Sequence, residues 1–111
     1  MRPGAHYDVE FENFGKHPTR SVFRSVSEAE VLTFSSVNLK PESELFVACI
    51  REGVDFGNFI VEVDAQARAT VIAHEHRGFI ADGLTMEAAI NALKYWLPVQ
   101  SRTPEIHWED Q

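Results

Sequence analysis

The chain has 111 residues, 44% hydrophobic and 24% charged, enough for one hydrophobic core and too apolar for a disordered chain. Its 17 acidic side chains against 10 basic ones give a formal charge of -7, which opposes phosphate, disfavours nucleic acid as a direct partner and favours a cationic one. Solubility alone also accounts for a charge of this size. The single cysteine, Cys49, allows no internal disulfide, and its place in Leu45-Phe46-Val47-Ala48-Cys49-Ile50 marks it as a buried small hydrophobe.

The start, Met1-Arg2-Pro3-Gly4-Ala5-His6-Tyr7-Asp8, lacks the apolar core of a secretory leader. No stretch approaches the roughly 18 apolar residues of a membrane span. One domain over residues 1–111, cytoplasmic and free of membrane, is expected. In residues 6–12, Tyr7, Val9 and Phe11 alternate with Asp8, Glu10 and Glu12, the period of a half-buried strand with one acidic face. Residues 20–26 form a second extended segment, expected to pair back on the first as a hairpin.

Ser27-Glu28-Ala29-Glu30 has the spacing of a capping box and predicts a helix ending near Asn38, before Lys40-Pro41. Leu45 to Arg51 is apolar on both faces, as a central strand covered on each side would be. Residues 59–64 alternate Phe59, Val61 and Val63 with Ile60, Glu62 and Asp64, and residues 69–76 follow as an antiparallel partner. Thr85 caps the clearest helix, in which Met86, Ala89, Ile90, Leu93 and Leu97 recur at helical spacing until Pro98 stops it. A short strand around Ile106 closes the chain. The expected fold is α+β, with the order β-β-α-β-β-β-α-β: a largely antiparallel mixed sheet of about five to six strands and two principal helices.

Few residues carry a chemical signature. His74-Glu75-His76 would set two imidazoles on one strand face, a partial ligand set for zinc, but a closed site needs more ligands and none stands at a familiar spacing. Strand-pairing or solvent-facing histidines are the simpler expectation, and neither metal nor cofactor is expected. No Gly-x-Ser-x-Gly elbow surrounds any serine, and the glycines at 53, 57, 78 and 83 form no phosphate-cradling loop. Trp96 and Trp108 suit core packing or an interface. Asp8, Glu10 and Glu12 repel one another along one strand face, so they serve either to protect a sheet edge or to dock a basic partner.

The ending Ala92-Leu93-Lys94-Tyr95-Trp96-Leu97, a turn, then Arg102-Thr103-Pro104-Glu105-Ile106-His107-Trp108 resembles the type-1 immunity proteins of bacterial polymorphic toxin systems. The early helix opened by Ser27-Glu28-Ala29-Glu30 and the segment Gly78-Phe79-Ile80-Ala81-Asp82-Gly83 before the last helix are similar too. The resemblance implies a small intracellular antidote that binds and blocks a cognate toxin domain, often a nuclease or deaminase. A nuclease-like toxin presents a basic groove, so the acidic partner-binding candidates are Asp8, Glu10, Glu12, Glu62 and Asp64, on the polar faces of two predicted strands. The rival readings are a small enzyme or metal- or ligand-binding protein built on His74, His76 and nearby carboxylates, and a domain that self-associates through an open strand edge.

Overall fold

The computed structural model describes residues 5–111. Met1 to Gly4, part of the segment expected to lack a leader's apolar core, lie outside the described residues. The elements run β1 (Ala5–Asn13), β2 (Thr19–Val26), α1 (Glu28–Asn38), β3 (Ser43–Arg51), β4 (Val54–Val63), β5 (Ala69–His74), β6 (Gly78–Leu84), α2 (Met86–Val99) and β7 (Glu109–Asp110). The seven strands form one sheet in the order β2-β1-β3-β4-β5-β6-β7. Every pairing is antiparallel, so the α+β class holds, while the sheet is larger than expected and has no parallel pair among the described residues.

Both helices pack on the same face of this sheet, α1 over β1 and α2 over β4 and β5, and they touch each other. The alternation read from the sequence decides which residues they cover. Tyr7, Val9 and Phe11 of β1, Leu45, Val47 and Cys49 of β3, and Phe59, Val61 and Val63 of β4 join Val31 of α1 and Leu93, Trp96 and Leu97 of α2 in one core. Burying such side chains contributes about 1.5 to 3 kcal/mol each, which fixes the register of every strand that supplies them.

Local chemistry sets the helix ends. Ser27 accepts from the Glu30 amide at 3.1 Å while the Glu30 carboxylate accepts from the Ser27 amide at 3.0 Å, the reciprocal cap expected from the spacing. Thr85 caps α2 through the Ala88 amide at 3.0 Å. Pro98 does not stop α2, which continues to Val99. Proline here costs only the amide that would reach the Lys94 carbonyl, and beyond it the turn is closed by other donors: the Leu97 carbonyl accepts from the Tyr7 hydroxyl and from Gln100 Nε2, and the Trp96 carbonyl from the Gln100 amide. Gln100, left-handed at φ 54°, then ends the helix.

Three expectations need correction. Gly78–Leu84 is a strand, β6, where no strand was expected; its apolar run is only Phe79-Ile80-Ala81 before Asp82-Gly83, too short for a clear period. β5 ends at His74, because the Glu75 amide donates to the Arg77 carbonyl at 3.1 Å and turns the chain. The final strand is Glu109–Asp110, beyond Ile106. Ile106 and Trp108 instead pack against the core, and the Trp108 indole donates to the Thr103 carbonyl at 2.9 Å.

Candidate functional site

A strand covered on both faces was expected at Leu45 to Arg51. Leu45, Val47 and Cys49 are fully buried beneath the helices, but both helices lie on that side, and Phe46 and Ile50 on the other are only half-buried. The second apolar face of β3 is therefore uncovered by either helix, with Phe46 and Ile50 partly exposed and Ala48 buried between neighbouring side chains. That exposure costs solvation free energy and marks the face as a candidate site.

Register shows what shares this open face. Glu10 of β1 lies opposite Phe46 of β3, Phe46 opposite Ile60 of β4, Ile60 opposite Ile72 of β5, and Ile72 opposite Ile80 of β6. Adjacent strands are about 4.8 Å apart, so the apolar row Phe46-Ile60-Ile72-Ile80 runs about 14 Å across the sheet. Two positions along the strands, about 7 Å away, Glu12 lies opposite Glu44 and Glu44 opposite Glu62. On the other side of the apolar row, Asp8 lies opposite Ala48 and Asn58 opposite His74.

The carboxylates differ in their partners. Arg20 pairs with Glu10 and reaches Glu12 at 3.8 Å, and Arg24 reaches Asp8 at 3.5 Å. The Ser25 amide also donates to Asp8, at 3.0 Å. The mutual repulsion expected of Asp8, Glu10 and Glu12 is therefore relieved by the neighbouring strand. Edge protection does not explain them either, since β1 lies inside the sheet between β2 and β3. Glu44 and Glu62 form no ion pair among the described residues. Partial burial, then the charges of Glu62 and Glu12, push the Glu44 carboxyl above the usual range.

Of the five acidic candidates, Asp8, Glu10, Glu12 and Glu62 share the open face, with Glu44 bridging Glu12 to Glu62. Asp64 lies beyond the end of β4, where its Oδ1 accepts from the Gln66 and Arg68 amides at 2.9 Å each and shapes the turn into β5. It still faces a shallow cleft of about 250 Å³ shared with Glu44, Glu62 and Arg68. Sequence reasoning missed Glu44 and the apolar row. The signal was present in β4, where Ile60 stands on the nominally polar face beside Glu62, and in β3, apolar on both sides.

The two histidines do not form a joint ligand set. His74 contacts Asn58 Oδ1 at 2.8 Å through Nδ1 and Gln111 Oε1 at 2.9 Å through Nε2, while His76 is exposed in the turn after β5. Among the described residues no group of three or more His, Cys, Asp or Glu side chains is placed to hold a metal ion. A second apolar surface, a groove of about 460 Å³, lies between α1 and the edge strand β2, lined by Val9, Phe23, Val26, Ala29, Val31 and Phe34. Among the described residues no helix is long and apolar enough to cross a membrane. No protein-family model, curated protein or solved structure matches the chain.

Proposed function

We propose that the chain is an antidote (immunity) protein that binds and sterically blocks a cognate bacterial toxin domain, a basic nuclease or deaminase, in the cytoplasm. The observation that carries this reading is the sheet face away from the helices, where an apolar row is bordered on one side by Glu44 and Glu62, which form no ion pair among the described residues. Small-molecule sites are concave pockets that enclose their ligand, whereas a flat face four strands wide suits another protein. Its sign suits a partner whose own surface is basic because it must hold phosphate, and such pairing speeds encounter. Covering that basic surface suffices for inhibition, and no catalytic group is required. The likeness of the C-terminal segment to type-1 immunity proteins supports the same reading.

The test is co-expression in a bacterial host with the toxin domain encoded immediately upstream in the source genome. Protection from growth arrest, together with a stable complex of the two purified proteins, is the expected result. Unchanged killing with no complex, or the lack of any toxin gene beside this one, contradicts the proposal.

A further inference from the structure

We propose that the partner is anchored on the row Phe46-Ile60-Ile72-Ile80 and oriented by the neighbouring pair Glu44-Glu62. The occupant is a cationic protein surface whose apolar side chains are bordered on one side by lysine or arginine. This inference rests on the reading of the chain as a protein that docks a basic partner, and it names where and through which chemistry the docking occurs.

Three observations carry it. The apolar row is continuous in register over four strands on the face away from both helices, with Phe46, Ile60 and Ile80 partly exposed and Ile72 buried among them, and apolar side chains at the middle of a contact supply most of its affinity. The unpaired carboxylates Glu44 and Glu62 stand on one side of this row only, so a partner with a matching asymmetric basic border is held in one orientation. Asp8, Glu10 and Glu12 are already engaged by Arg24 and Arg20, so they have less to offer an incoming cation than Glu44 and Glu62. Charge also argues against a second copy of the chain as occupant. Stacking two such faces would bring two Glu44-Glu62 pairs and two chains of charge -7 together.

The isoleucines make the test direct. Ile50, Ile60, Ile72 and Ile80 belong to the open face, while Ile90 packs against the core on α2. The intact chain, labelled on isoleucine and valine methyls, is titrated by NMR with a synthetic helix-forming peptide carrying leucines along one face and lysines beside them. A peptide with glutamate in place of lysine serves as the charge control. Saturable shifts of Ile60, Ile72 and Ile80 with the lysine peptide, weakened by salt and absent with the glutamate peptide, are expected.

Ile60→Thr with Ile80→Thr, which keeps the β-branch and so the strand preference, should weaken binding about tenfold. Glu44→Gln with Glu62→Gln should weaken it roughly fivefold and flatten its salt dependence, and Asp8→Asn with Glu10→Gln less than about twofold. Shifts confined to Val26 and Val31, in the groove beside β2, would overturn the proposal, as would equal binding of both peptides. The antidote reading fails separately. A toxin bound with full affinity by the Ile60 and Ile80 variant removes this face and leaves the antidote; peptide docking on the row with no toxin bound supports the face and removes the antidote.

Discussion

Tyr7 is buried on the helix-covered side of β1, and its hydroxyl donates to the Leu97 carbonyl at the end of α2. Burial first, then the neighbouring Cys49 and Glu28, pushes its pKa from 10.0 up to about 12. The proton is held more tightly folded than unfolded, so the contribution is complete below pH 10 and is lost as pH rises from 10 toward 12. Alkaline melts should show about 2 kcal/mol lost across that window. Tyr7→Phe should remove the dependence and cost only about 1 kcal/mol at neutral pH, because Gln100 Nε2 still donates to the Leu97 carbonyl at 2.6 Å. Glu44 has the same sign in a lower pH range. Its raised pKa means that the ionised form is disfavoured in the fold, a penalty that is absent below the ordinary carboxylate range and appears as pH rises through the folded value. Glu44→Gln should therefore stabilise the free protein by about 0.5 kcal/mol at neutral pH. That gain should fade in acid melts as Glu44 is protonated in both states; a variant less stable than the parent at neutral pH would contradict this account of the face.

Gly57 shows how closely the strands approach each other. It lies in β4 at φ 132°, where a Cβ would stand 2.6 Å from the His74 carbonyl and 3.7 Å from the Trp96 ring. Backbone cannot yield as a flexible side chain would, so Gly57→Ala should cost about 2 to 3 kcal/mol in denaturant unfolding. It should also loosen the Asn58-to-His74 end of the β4-β5 pairing. The sequence excluded this glycine from a phosphate loop and showed nothing more, because the clash depends on a carbonyl from another strand. Other parts of the fold were legible for local reasons. The β1-β2 and β4-β5 hairpins join neighbours in sequence, and the caps at Ser27 and Thr85 involve residues three apart. Alternation told which face each residue takes but not which strand lies beside it, so the placement of β1 between β2 and β3 was hidden. The run through Pro98 was hidden for a related reason, since the donors that complete that turn include Tyr7 at the opposite end of the chain.

At the scale of the molecule, both helices are placed on one face of the seven-stranded sheet, over β1, β4 and β5. The opposite face was half legible. Asp8, Glu10, Glu12 and Glu62 were read from strand alternation, whereas the apolar row between them and Glu44 emerged only when register set four strands side by side. The open face also makes the central claim measurable. The most direct test is the isoleucine methyl spectrum of the chain bound to a catalytically inactive variant of its cognate toxin domain. The account predicts large shifts or intermolecular contacts at Ile60, Ile72 and Ile80, with Ile90 unmoved. A tight complex in which those three methyls keep their free positions, while the groove valines Val26 and Val31 shift, would contradict it.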